Sequence, residues 1–175
     1  YLSLDAEGEV HFERWKKASN LILFGDNKTT GITQSRLFAW KFMYEYYEGI
    51  QNLRAGEIFV YGSNYRGVPG AGAAKTARTY YGAQYGISEG FTGRCYAIPT
   101  KDLDIKTLPL ETIKKHVERF IDYTHIKCHL NFLVTPIGTG LAGYEPGDIA
   151  PMFILANKNC RFDIEWKPFL ENAHA

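Results

Sequence analysis

Residues 58–75 read IFVYGSNYRGVPGAGAAK and residues 132–150 read FLVTPIGTGLAGYEPGDIA. Both start as a short apolar run, break into glycines, and then recover residues that suit a helix. An apolar run of four to eight residues bounded by turn signals fits a buried strand. Glycine directly behind it lets the backbone turn sharply or approach another group closely. Glu57–Tyr61 (EIFVY) and Asn131–Pro136 (NFLVTP) are therefore expected to be buried strands, each followed by a glycine loop and a helix.

The pattern extends outward from these two units. The stretch after Gly70, AGAAKTARTYYG, is rich in helix formers and ends at Gly82, a C-cap glycine. Arg94–Pro99 (RCYAIP) reads as a third buried strand. Thr107 suits an N-cap, Pro109 the first turn and Glu111 the positive helix end. In the helix they open, Ile113, Val117, Phe120, Ile121 and Thr124 form one packing stripe. Asp148 can cap a short helix containing Pro151, Phe153 and Leu155, and DIEWKPFLENA is expected to end the chain as a strand and turn.

Upstream, Val10–Trp15 and Leu21–Phe24 are short β-rich runs. Ser35 can cap a helix to about Ile50 that packs through Leu37, Phe38, Met43 and Tyr47. YEYYEG (44–49) then belongs to a core-facing helix and not to a base-stacking platform, because no Lys or Arg interleaves its tyrosines. Strands alternating with helices imply an α/β fold around a largely parallel sheet. No repeat or linker divides the 175 residues, so one domain is expected, with residues 1–50 as an extension or outer layer.

Composition narrows the function classes. Apolar residues at 45% and charged residues at 22% exclude a disordered, collagen-like or low-complexity chain. Lys plus Arg number 20 and Asp plus Glu 19, so the net charge of +1 gives no field for non-specific binding to nucleic acid or membrane. Cys95, Cys128 and Cys160 form no CxxC pair, which points away from a zinc knuckle or disulfide framework and toward a reducing cytoplasm. The opening YLSLDAEGEVHFERW lacks an apolar core flanked by basic residues, so no signal peptide is expected there. In HIKCH, His125 and His129 stand four apart near Cys128, but no further ligands cluster with them, and neither metal nor cofactor is expected.

The glycine loops carry the chemistry. In open α/β sheets ligands bind outside the carboxyl ends of strands, where backbone N–H groups and a helix N-terminus suit phosphate. Two such loops on one sheet can hold a diphosphate between them. A P-loop does not fit, because Ala73 and Ala74 separate Gly72 from Lys75-Thr76. The dinucleotide fingerprint is also broken, since Gly70-Ala71-Gly72-Ala73-Ala74 runs into Lys75.

Tyr61-Gly62-Ser63-Asn64 followed by Gly70-Ala71-Gly72-Ala73 resembles the macro-domain superfamily, in which a strand ends in Asn before a glycine loop and helix. Pro136-Ile137-Gly138-Thr139-Gly140-Leu141-Ala142-Gly143-Tyr144 resembles its second glycine loop. The likeness covers residues 57–153, with the intervening strand and helix in the expected order, and is closer to a divergent macro-like group of bacterial and phage proteins of uncharacterised function. It implies a three-layer α/β/α sandwich with a mixed, largely parallel sheet that binds ADP-ribose or a related nucleotide. It also implies that the second loop wraps the diphosphate while the first lies against the distal ribose. Hydrolytic members often carry an Asp in the first loop, where this chain has Ala74 or Lys75. Gly25-Asp26 resembles an early Gly-Asp turn of the family.

Among single residues, Asn64 can bond a ribose hydroxyl or orient water, or serve as a turn residue after the strand. Asp102 can act as a general base or ribose ligand, or as a solvated loop carboxylate, with Thr100 and Lys101 as polar or phosphate contacts. Tyr144 can cover a ribose or base, or pack at the loop rim. Asp148 suits a cap better than chemistry, Glu89 suits an exposed loop better than a displaced acid, and Cys95 a strand interior. The expected function is a cytoplasmic reader or sponge of ADP-ribose or a related nucleotide. A hydrolase of an ADP-ribosyl or cyclic-nucleotide bond using Asn64 and Asp102, and a protein-interaction module with purely structural loops, are the alternatives.

Overall fold

Alternating side chains on β-strands let one sheet serve two packed faces, and here both faces are apolar. The computed structural model describes residues 44–49 and 52–172. Among them the order is β1 (Glu45–Tyr47), β2 (Glu57–Asn64), α1 (Gly72–Tyr81), β3 (Gly90–Thr92), β4 (Cys95–Lys101), α2 (Leu110–Ile126) and β5 (Asn131–Val134). A short helix α3 (Pro146–Ile149), a 3-10 turn (Ala150–Phe153), β6 (Cys160–Asp163), a second 3-10 turn (Ile164–Trp166) and α4 (Lys167–Asn172) follow. The strands form one sheet in the order β1-β6-β5-β2-β4-β3. All neighbours are parallel except β3, which is antiparallel to β4. The expected α/β class with a largely parallel sheet is therefore observed.

Phe59, Tyr61, Cys95, Ala97 and Leu133 face α1, packing on Ala74 and Ala77. The alternate residues face α2, where the Phe120 ring lies 5.0 Å from Tyr96 and 5.5 Å from Phe132. The first 3-10 turn covers the same side, with Phe153 at 5.8 Å from Phe162 and 5.2 Å from Trp166. The predicted stripe of α2 is buried, and His116 is buried with it.

Several expectations need correction. Residues 45–47 form a strand paired with β6, not the end of a helix. Tyr44 and Tyr47 are three apart, which suggests one helical face; on extended backbone they point to opposite faces. Tyr44 meets the Phe162 ring edge-on, whereas Tyr47 joins the α1 side and donates to the Val134 carbonyl at 2.9 Å. Val10–Trp15, Leu21–Phe24, Gly25-Asp26 and the proposed helix up to Met43 lie outside the described residues, as does most of the outer layer assigned to 1–50.

β2 runs on through Gly62 to Asn64, because Gly62 fits where an added Cβ would lie 3.3 Å from Thr100 Oγ1. Pro109, not Thr107, precedes α2, and the Thr107 hydroxyl donates instead to the Ala142 carbonyl at 2.9 Å. Asp148 caps α3 from inside, accepting from the Glu145 N–H at 3.2 Å. The tail is a 3-10 turn and helix, and the last strand is Cys160–Asp163, ended by the Asp163 carboxylate accepting from the Glu165 N–H at 3.0 Å.

Among the described residues no group of three or more His, Cys, Asp or Glu can hold a metal, and no helix is long and apolar enough to cross a membrane. All three cysteines are free, Cys95 and Cys160 buried and Cys128 exposed.

Candidate functional site

β2 and β5 are parallel neighbours whose following segments leave toward opposite faces of the sheet, α1 to one side and the first 3-10 turn to the other. Such a divergence opens a crevice at the carboxyl ends of the strands. Both glycine loops emerge into it. The resulting cleft has a volume of about 390 Å³, within the range of small-ligand sites. It is lined by Gly62, Ser63, Asn64, Gly70, Ala71, Gly72, Ala73 and Thr100, and across from them by Ile137, Gly138, Gly140, Leu141 and Ala142. The sequence-predicted ligand residues thus largely converge on one cavity.

The α1 end of the cleft is rich in donors. Ala71 caps the helix without a side-chain hydrogen bond, and no acidic residue sits in the first turn. The dipole's positive end therefore meets the cleft with no internal counter-charge. Opposite it, the second loop uses its carbonyls internally. Pro136 accepts from the Thr139 hydroxyl at 2.8 Å, Gly140 from the Gly143 N–H at 3.0 Å, and Gly138 from the Tyr144 N–H at 3.0 Å. Gly138 holds a φ of +76°, and a Cβ there would come within 3.0 Å of Ile149.

Between the loops, the register of β2 and β4 slips at Ser63/Asn64, so Ser63 faces Pro99 and Asn64 faces Lys101. Thr100 is the extra residue, and such bulges often re-aim a side chain beside a site. Its hydroxyl donates to the Ser63 carbonyl at 3.3 Å, while Ser63 Oγ donates to the Ser88 carbonyl. Lys101 is the one ionisable side chain among the described residues that line the cleft, and no aromatic ring is among them.

Five predicted residues behave differently from their assigned roles. Asn64 lines the cleft, but its amide clasps Val68, accepting from the N–H at 3.2 Å and donating to the carbonyl at 2.9 Å. Asp102 is not in the lining. Its Oδ1 accepts from the N–H groups of Asp104 at 2.8 Å and Lys106 at 2.9 Å, so the carboxylate frames a turn. Tyr144 also stands outside the lining, its hydroxyl donating to the Leu108 carbonyl at 2.8 Å. Thr139 and Gly143 brace the second loop without lining the cavity.

Glu89 lies behind the first loop. Arg119 Nε donates to its Oε1 at 2.7 Å, His116 Nδ1 lies 2.9 Å from the same oxygen, and His116 Nε2 lies 3.0 Å from the Tyr65 hydroxyl. Partial burial pushes this carboxyl up, but the Arg119 and His116 contacts outweigh it and hold Glu89 below the ordinary glutamate range. The cluster ties α2 to the residue that follows Asn64. Val68, Ala74, Ile105, Thr135 and Pro136 complete the lining and are not among the ligand contacts expected from sequence; Ala74 stands where hydrolytic macro domains often carry Asp. Val68, Thr135 and Pro136 sit inside the quoted loops, whereas Ile105 carries no motif signal. Compared with family models, curated proteins and solved structures, the chain matches none of them.

Proposed function

We propose that this chain binds ADP-ribose or a related nucleotide between its two glycine loops, as a reader or sponge of that ligand. One observation carries the proposal: a cleft of small-ligand size whose described lining is backbone-rich, with Lys101 as its one ionisable side chain and no carboxylate. A site built this way favours an anion, because donors and a helix N-terminus meet it without opposing charge. A diphosphate spanning the α1 end and the Gly138–Ala142 loop would use both. Helices on each face of the sheet suit the three-layer macro-like arrangement on which the ligand class rests.

Binding is favoured over hydrolysis. The Asn64 amide that would orient water is engaged with Val68, and the Asp102 carboxylate that would act as base stands outside the cleft lining. The test is thermal unfolding against ADP-ribose, NAD, ADP, AMP and cyclic nucleotides, with Gly140→Val as the partner variant. At Gly140 a Cβ meets nothing within 4 Å and φ is outside the left-handed region, so the variant is expected to fold while filling the cleft. A ligand present at 100 times its Kd adds about 2.7 kcal/mol, which raises Tm by several degrees. Wild-type protein is expected to show that shift with ADP-ribosyl compounds and Gly140→Val to lose it. A flat wild-type response, or equal shifts in both proteins, refutes the proposal, and a protein partner recovered instead would favour the interaction-module alternative.

A further inference from the structure

Ile105 is the one non-glycine residue with positive φ among those described, at +63°. A β-branched side chain in that region is a true outlier, because Cβ crowds the neighbouring carbonyl. The turn explains the position. The Ile105 N–H donates to the Asp102 carbonyl at 3.2 Å, and the Asp102 N–H donates to the Lys106 carbonyl at 2.8 Å. This is a type I turn closed by a bulge, whose left-handed position ordinarily takes glycine. The Asp102 carboxylate locks it by holding the Asp104 and Lys106 N–H groups, and Arg66 donates to the Leu103 carbonyl from the first loop.

The strained side chain lines the cleft, 42% exposed. Val68 and Leu141 line it too, at 41% and 70% exposure, each from a different strand end. Three exposed aliphatic side chains thus stand around a cleft whose other lining is mostly glycine, alanine and short polar residues. Asn64 clasps the segment bearing Val68, and Asp102 clasps the turn bearing Ile105. Non-glycine residues in the left-handed region cluster at ligand clamps and active sites, and glycine at 105 would relieve this strain.

We infer, resting on the nucleotide-binding proposal above, that Ile105 is a specificity-determining lip and Asp102 its positioning residue. The lip covers the apolar face of a sugar or base ring of the bound nucleotide, so the site selects nucleotides over bare phosphate anions.

The experiment pairs Ile105→Gly with binding calorimetry on ADP-ribose, ADP, ribose 5-phosphate and pyrophosphate. The unliganded variant is expected to melt higher than wild type, since glycine accepts this φ, while its affinity for ring-bearing ligands falls roughly tenfold. Pyrophosphate affinity is expected to stay within twofold. A loss confined to ADP and ADP-ribose assigns the ring as the base, and a loss shared with ribose 5-phosphate assigns it as the sugar. Unchanged affinity for every ring-bearing ligand, an equal loss for pyrophosphate, or a lower Tm accompanying the loss overturns the inference. Asp102→Asn, which keeps the Oδ1 acceptor, is expected to retain the affinity that Asp102→Ala loses. If the two fall together, Asp102 acts through its charge and not through the turn, and the positioning role is overturned. Wild-type protein that binds none of the ligands refutes both proposals, whereas wild-type binding untouched by Ile105→Gly refutes only this one.

Discussion

The two ends of the parallel sheet treat polar groups in opposite ways. At the amino ends, Glu57 is buried and meets Arg161 in a two-pronged pair, Nε to Oε1 at 2.6 Å and Nη2 to Oε2 at 2.8 Å. The Arg54 N–H adds a third bond to Glu57 at 2.8 Å. At the carboxyl ends, α1 begins without a side-chain cap and the described cleft lining holds a single ionisable side chain. One end satisfies its charges internally; the other leaves donors available. The same strands therefore bury a paired charge at one tip and open a cleft at the other.

The largest expected effect breaks the closed end. Glu57→Ala leaves the Arg161 cation buried and unpaired, and is expected to cost about 3–5 kcal/mol in urea unfolding. A cost below about 1 kcal/mol would mean that this end is not the anchor described. The next sharpens the contrast at the open end, where not all the backbone is spare. Gly67 holds a φ of +63°, and a Cβ there would stand 2.5 Å from the Gly86 backbone. Gly67→Ala is expected to cost about 1–3 kcal/mol and to break the Gly86 N–H bond to the Gly67 carbonyl, visible as faster amide exchange at Gly86. Gly140→Val, by contrast, should leave Tm within a degree or two.

The smallest effect is acid sensitivity behind the first loop. Because the Glu89 carboxyl is held below its unfolded range, its stabilising effect is full above the unfolded glutamate pKa of about 4.3 and fades as pH falls through the lower folded value. Glu89→Gln is expected to flatten the stability profile below about pH 4.5, by less than about 1 kcal/mol because water screens this partly exposed pair. An unchanged acid limb would remove Glu89 from the loop's support.

Much of this was legible in the chain because periodicity and glycine placement are local. The β2, β4 and β5 runs, the stripe Ile113 to Thr124 and both glycine loops followed from neighbouring residues alone. What was not legible depends on where distant segments return. Tyr44 and Tyr47 fit a helix until β6 arrives beside them. Asp102 looks like a free carboxylate until the backbone folds back at Lys106 and fills its oxygen. Ile105 could only be found through a backbone angle, because isoleucine in a glycine position leaves no mark on hydropathy.

The cysteines have a practical consequence in surface chemistry. Burial pushes the Cys95 thiol up to about 12 and the Cys160 thiol well above the usual range, so neither offers thiolate to an electrophile at neutral pH. Cys128 is exposed, in the turn between α2 and the start of β5, at the end of the sheet remote from the glycine loops. One maleimide dye or biotin per chain should therefore attach there, tethering the protein to a sensor surface with its cleft facing solution.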